Sequence, residues 1–153
     1  MKYKLNYKEG TWFAVPLRKG GFGIGVVARA KRTCILAYFF GPRRESVPVL
    51  EEVSMLKAHS AVATLRVGDL GLVNGEWPII GQSSSWNHAD WPMPIFVRRE
   101  PFPPNRNWLV YFADKDPNKR INEVSESNDR PDLPADSLSG YGAAEIKLTK
   151  LLS

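Results

Sequence analysis

The segment from Trp77 to Pro94, WPIIGQSSSWNHADWPMP, contains the side chains from which a nucleophilic enzyme site could be built. Consecutive serines stand close to His88 and Asp90, the residue types of a nucleophile, its general base and an orienting carboxylate. A triad needs these groups to converge in space with the nucleophile on a rigid turn, and serines in a proline-bounded loop have no such turn. We therefore interpret Asp90 as a turn cap, and we expect no catalytic residue and no enzyme activity.

Three of the chain's five tryptophans lie in the same segment, which its prolines exclude from a continuous helix. Trp77 follows an Asn-Gly pair and begins a strand pattern, and Trp91 lies in a loop fixed by prolines. We expect both indoles to pack in the core, because tryptophan is costly to leave in water. Trp86 stands beside the serines, and we expect it to be exposed and able to contact a partner.

The glycine spacing offers a candidate nucleotide site. Gly23, Gly25 and Ala28 satisfy the G-x-G-x-x-A pattern, but that pattern binds a pyrophosphate only where it opens a helix, and the residues that follow favour a strand. The two histidines, His59 and His88, are far apart and match no usual metal-ligand spacing. We expect no cofactor and no metal.

Arg43 and Arg44 follow a strongly apolar strand at a Gly-Pro corner. Adjacent arginines bind phosphate or carboxylate groups with paired hydrogen bonds. They can also pair with Glu51 and Glu52 and fasten the corner, which is the interpretation that the rigid Gly-Pro step favours. Both alternatives stay open, and the two arginines are candidate binding residues.

The net charge of +5 is unevenly distributed, since residues 1–50 carry ten Lys/Arg against two Asp/Glu. A basic segment indicates an anionic partner, either nucleic acid or an acidic protein, or simply a solvated face. Single-strand binding needs aromatic and basic side chains on one surface, whereas the tryptophans lie in the mildly acidic middle of the chain. Nucleic acid is therefore disfavoured, and a nucleic-acid-binding small β-barrel using this basic third is the alternative function.

Length and composition place the chain among globular proteins. With 153 residues and 43% hydrophobic residues, it fits a single domain over residues 1–153. No apolar run is long enough for a membrane span, and the N-terminal residues lack the apolar core of a signal peptide. Cys34 is the only cysteine, so no internal disulfide forms. We expect a cytoplasmic location.

Strand patterns dominate the first third of the chain. Three apolar stretches, GTWFAVPL, GIGVVARA and TCILAYFFG, are separated by short polar turns and predict a meander, and the third should be covered on both faces. The predicted fold class is mostly β (α+β), with a strongly curved or barrel-like antiparallel sheet and one or two short helices.

The later elements are mixed. The pattern predicts a helix from about Leu50 to His59, a hairpin turn at VNGE, and two late strands, PIFVRRE and NWLVYFAD. Residues 114–140 are polar and predict a surface excursion that is partly mobile. The last residues can close the chain as a helix with Ala144, Leu148 and Leu151 or Leu152 on one face.

Five sequence motifs, taken together with their order along the chain, resemble the immunity protein 26 family. Members of this family are predicted to protect bacteria from polymorphic toxins. The resemblance covers Gly10 to Ile121. The motifs are GTWFAVPLRKGGFGIGVVAR, YFFGPRR, GDLGLVNGEWPIIG, WPMPIF and DPNKRI. The matching positions are Gly10, Pro16, Gly25, Phe40, Gly41, Pro42, Arg43, Arg44, Gly68, Asp69, Gly71, Trp77, Gly81, Trp91, Pro92, Pro94 and Asp116.

The resemblance implies a small, mostly β protein, a monomer or weak homodimer, that neutralises a cognate toxin by stoichiometric binding. Arginines and aromatic residues are favoured interface anchors, so the candidate partner-binding residues are Arg43, Arg44, Trp86 and Trp91. The acidic stretch over residues 114–136 is a second candidate interface, and it adds Asp114 and Asp116.

Overall fold

A computed structural model describes residues 5–153 of the chain. This part is mostly β, with strands in two sheets and three short α-helices. The strands are β1 (Thr11–Pro16), β2 (Phe22–Lys31), β3 (Cys34–Arg44), β4 (Ala63–Gly68), β5 (Ile79–Gln82), β6 (Phe96–Arg99), β7 (Asn107–Ala113), β8 (Asp116–Glu126) and β9 (Leu138–Ser139). The helices are α1 (Leu50–Val53), α2 (Leu70–Val73) and α3 (Tyr141–Leu151).

The first sheet has six strands in the order β5-β1-β2-β3-β4-β9, and the second has three in the order β6-β7-β8. Strands β1, β2 and β3 pair in sequence and antiparallel, so the predicted meander is confirmed. The two predicted late strands are β6 and β7, which pair with each other.

Strand β3 shows why its sequence is apolar throughout. Alternate side chains of a strand point to opposite faces of the sheet, and each face of β3 contributes to a different core cluster. One cluster contains Ile35, Ala37 and Phe39, and the other contains Leu36, Tyr38 and Phe40. The expectation that both faces of this strand are covered is confirmed.

Different elements cover the two faces of the first sheet. Helix α3 packs on one face through the buried side chains of Ala144 and Leu148, and Leu152 rather than Leu151 continues that contact. The second sheet packs on the other face through Phe96, Val110 and Phe112. No helix in residues 5–153 has the length and apolarity to cross a membrane.

The predicted barrel-like closure is not found. In the described residues neither sheet closes or curls strongly, and the first sheet ends in the separate edge strands β5 and β9. A bent meander can begin a small barrel, but here a second sheet and a helix from later in the chain cover the two faces of the first sheet. Both faces are therefore buried while the sheet remains open.

The glycine pattern of β2 belongs to a strand, as its flanking residues indicate. Gly25 pairs with Phe13 of β1, and the Phe13 ring lies directly over Gly25, where a β-carbon would collide with it. The glycine allows this close approach between neighbouring strands, and it does not open a helix.

Two local predictions are wrong. The predicted helix from Leu50 to His59 begins at Leu50 but ends at Val53, and Lys57 takes an extended conformation before a single 3-10 turn over Ala58–Ser60. The predicted Asn74-Gly75 hairpin is the end of helix α2: Asn74 caps the helix, and Gly75 has φ of +82°. A left-handed glycine serves a hairpin turn and a helix C-terminus equally well, so the dipeptide alone does not distinguish them.

The polar segment over residues 114–140 is largely exposed, and it contains regular structure. It includes the whole of β8, which pairs antiparallel with β7, and the short β9, which pairs parallel with β4. Strand β8 has few apolar residues because much of it faces solvent, so its sequence does not show the alternation of a half-buried strand.

Candidate functional site: a tryptophan cleft

An open cleft of about 500 Å³ lies between residues 54–59 and the loop over residues 83–91. We call it the tryptophan cleft. Its apolar lining comes from Trp12, Leu56, Trp86 and Trp91, and polar side chains that include Lys57, His59 and Asp90 complete it. A cleft of this size, with an aromatic lining and a few polar groups, is large enough to receive a small ligand or a protruding side chain.

Trp91 is the buried centre of the aromatic cluster beneath the cleft, as expected from its sequence context. Its ring makes edge contacts with Trp12, Tyr38 and Phe40 at centroid distances of 5.9, 5.2 and 6.1 Å. The Tyr38 hydroxyl donates a hydrogen bond to the Pro92 carbonyl, and burial raises the pKa of Tyr38 to about 12. These contacts fix the loop to the central strands of the first sheet.

Trp86 lies on the outer side of this cluster. The sequence predicted an exposed side chain, and in the structure this side chain is partly exposed. Its ring stacks on Trp91 with a centroid distance of 5.2 Å and an interplanar angle of 15°. Its Nε1 donates a hydrogen bond to Glu9 Oε1 at 3.0 Å. The loop therefore presents a preorganised indole at the cleft.

His88 ties the same loop to two other parts of the fold. Its Nδ1 lies 2.5 Å from Glu9 Oε1, and its Nε2 lies 2.7 Å from Asp114 Oδ2. Asp114 is in turn held by Arg29, a fully buried side chain of β2, whose Nη2 donates to Asp114 Oδ1 at 3.0 Å. The Arg29 Nε also donates to the Asp114 carbonyl at 2.5 Å. The network joins the N-terminal segment, the cleft loop and the turn between β7 and β8.

This geometry directs His88 away from the serines. Both ring nitrogens of His88 contact carboxylates that belong to other segments of the chain. Asp90 is not a hydrogen-bond partner of His88. His88 lies between Glu9 and Asp114, because its two ring nitrogens point in different directions. The imidazole and the two carboxylates therefore do not converge on one point, as the ligands of a metal ion would. No grouping suited to a metal ion occurs within residues 5–153.

Replacing Asp114 with asparagine is expected to lower stability near neutral pH by less than about 1 kcal/mol, because the carboxylate is largely exposed. Hydrogen bonds from His88 and Arg29 lower the pKa of Asp114 below its usual range. A carboxyl whose pKa is lower in the folded state stabilises the fold above its unfolded pKa, and that contribution disappears as pH falls through the folded value.

Urea unfolding of both proteins at several pH values measures this effect. The difference should vanish on acidification from about pH 4 to about pH 2. A difference that stays constant over this range would contradict the assignment.

The predicted residues Arg43 and Arg44 do not line the cleft; they lie at the far end of β3. The Arg43 Nε donates to the Gly20 carbonyl at 2.8 Å, and its Nη1 lies 2.6 Å from Glu45 Oε1. The Arg44 Nη1 lies 3.7 Å from Glu52 Oε2. These contacts fasten the Gly-Pro corner to the β1–β2 turn and to α1.

The carboxylates of the acidic stretch over residues 114–136 are mostly engaged within the chain. Asp136 is held by Arg66 and Arg120 at 3.0 and 2.6 Å. Asp116 accepts a hydrogen bond from the Asn118 backbone at 2.9 Å. The other ion pairs join Asp114 to Arg29, Glu123 to Arg98 and Arg120, Glu126 to Arg130, Asp129 to Arg99, and Asp132 to Arg130. Intramolecular arginines therefore neutralise much of its negative charge.

Sequence reasoning missed Glu9, Trp12 and Arg29 as parts of this site. Arg29 could have been identified from the sequence, since a charged residue inside an apolar strand must have a hydrogen-bonding partner. Glu9 could not, because its role depends on the loop that lies more than seventy residues later in the chain.

Comparison with protein families gives one match, in which residues 8–108 match the model of Immunity protein 26. The match includes Glu9, Arg29 and the whole cleft loop but ends before Asp114, so the DPNKRI motif of the expected resemblance lies beyond it. Comparison with curated proteins and with solved structures finds no significant match. Because the family match covers about two thirds of the chain, the chain belongs to the Immunity protein 26 family.

Proposed function

We propose that this chain is a cytoplasmic immunity protein that neutralises a cognate bacterial toxin by binding it stoichiometrically, without catalysis of its own. It acts as a monomer or weak homodimer, and the tryptophan cleft receives a side chain or loop of the toxin. The observation that carries the proposal is the family match over residues 8–108.

The cleft supports this proposal through its preorganisation. Trp86 is held by its stack on Trp91 and its hydrogen bond to Glu9, so binding costs little side-chain entropy. Interface hot spots are enriched in tryptophan at well-packed positions that become desolvated on binding. Asp114 contributes by positioning His88 behind the loop, whereas Arg43, Arg44 and Asp116 are proposed as peripheral contacts.

Co-expression with the protein encoded directly upstream tests the function. Cells that express this upstream protein together with the chain should survive, whereas cells carrying an empty vector with the upstream protein should not. A purified mixture should contain the two proteins at a fixed ratio on size-exclusion chromatography. Equal survival with the chain and with the empty vector would contradict the proposed function.

A further inference from the structure

Two segments that are far apart in the sequence form one exposed corner of the molecule. The turn between β2 and β3 lies beside the start of β8, and the Asn118 Nδ2 donates to the Lys31 carbonyl at 2.9 Å. Below them, the buried Arg29 of β2 holds Asp114 through its backbone and side chain. The relative position of the two segments is therefore fixed by hydrogen bonds.

This corner is strongly basic. We define the basic corner as Lys31, Arg32, Lys115 and Lys119, all of which are exposed. None of the four forms an ion pair with a carboxylate of the described chain. The arginines of the second sheet, by contrast, are paired with acidic side chains. Four exposed cations without a carboxylate partner in residues 5–153 thus lie together here, with Asp114, which Arg29 holds, and Asp116 as the acidic residues among them.

Arg32 has an unfavourable backbone conformation at the tip of the corner. Its φ is +58°, a left-handed value that glycine or asparagine would adopt at lower cost. Non-glycine residues in this region are enriched at functional sites, where the side chain is needed despite the strain. The tight turn between β2 and β3 therefore presents a cation at a position whose backbone favours glycine or asparagine.

The basic corner lies beside the loop that lines one side of the tryptophan cleft. His88, in the cleft loop, contacts Asp114 at 2.7 Å, and Lys115 is the next residue along the turn. A partner that covers this loop can contact both the cleft and the corner.

We propose that the basic corner is the electrostatic half of the toxin-binding surface and docks an acidic face of the toxin. This inference rests on the proposed function. Complementary charges at the edge of an interface mainly accelerate association. An acidic protein face, which can carry cations of its own, fits better than a run of phosphates, because Asp114 and Asp116 lie among the four cations of the corner.

A charge reversal with a matched control tests the proposal. The variant Lys115→Glu/Lys119→Glu should associate with the purified upstream protein about tenfold more slowly than the unmodified chain at low salt. The control Lys147→Glu/Lys150→Glu changes the net charge equally, at two exposed positions of α3, and should change the rate less than about twofold. The difference should disappear at about 0.5 M salt, where exposed charges are screened.

If the corner variant and the α3 control variant associate with the upstream protein at the same rate, the acidic-face proposal is overturned and the proposed function stands. If the unmodified chain does not bind the upstream protein, the proposed function is overturned as well. A single-stranded oligonucleotide that binds the unmodified chain at low salt, but not the corner variant, would assign the corner to nucleic acid instead.

Arg32 provides a second, independent variant. Arg32→Gly should raise the thermal midpoint, because glycine relieves the left-handed strain, and should slow association about threefold. Arg32→Lys keeps the charge and should leave the association rate within about twofold of the unmodified chain. A lower midpoint and slower association with Arg32→Gly would indicate a structural role and overturn the binding role of this residue.

Discussion

Replacement of Trp86 with alanine is expected to weaken binding to the cognate toxin by about 2 kcal/mol, or about 30-fold. The ring is the partly exposed member of the stacked Trp86–Trp91 pair and lines the cleft that we propose receives the toxin. Its removal takes a rigid apolar surface out of the interface. The fold should persist, because Trp91 keeps its contacts with Trp12, Tyr38 and Phe40. Isothermal titration measures the affinity, and thermal unfolding measures the stability.

Two other substitutions control for effects on the loop and on indoles in general. Trp86→Phe keeps an aromatic surface but loses the hydrogen bond to Glu9, so its affinity should fall less than that of the alanine variant. Trp108→Ala removes a partly exposed tryptophan on the second sheet, where the Nε1 donates to Glu100 and the ring lies under Arg98. Affinity losses of the same size for Trp86→Ala and Trp108→Ala would contradict the location of the site.

Replacement of Trp77 with alanine is expected to destabilise the fold by about 3–5 kcal/mol, the range for a large aromatic side chain lost from a core. Trp77 is completely buried between the first sheet and α3. It stacks on Phe13 at a centroid distance of 5.3 Å and makes edge contacts with Phe39 and Tyr141 at 6.3 Å each. A cavity at this position would remove aromatic contacts that help to hold the helix on the sheet.

The Trp77 indole also satisfies a buried carboxylate. Its Nε1 donates to Glu145 Oε2 at 2.9 Å, and the other Glu145 oxygen accepts from Arg18 at 3.1 Å. Trp77→Phe should therefore cost about 1–3 kcal/mol even though most of the ring volume remains, because Glu145 loses a donor. Urea unfolding measures both variants. A loss below about 1 kcal/mol for Trp77→Ala would mean that this contact does not hold α3 on the sheet.

The main strands and the core tryptophans were predictable from the sequence. Apolar, β-branched and aromatic runs identified β1, β2 and β3, and the continuous apolarity of β3 correctly indicated burial on both faces. Trp77 and Trp91 were expected in the core and are buried there. These features depend on local spacing, which the sequence displays directly.

The wrong predictions fall where one local pattern serves two structures. Asn74 and Gly75 end a helix, although the same pair commonly forms a hairpin turn. The helical spacing after Leu50 continues in the sequence, yet the backbone becomes extended at Lys57 so that Leu56 and Ala58 still reach the core. The predicted barrel is not found, because the meander stays open and a sheet and a helix from later in the chain cover its two faces.

The sequence by itself determined the mostly β class, the meander, the buried Trp77 and Trp91, and the family to which the chain belongs. Only the tertiary structure brought His88 to Glu9 and Asp114, stacked Trp86 on Trp91 and placed Lys31 beside Asn118. Alternation along a strand is a property of neighbouring residues and can be read locally. Convergence of distant side chains depends on how two sheets pack and which turns they bring together, and no local spacing encodes that.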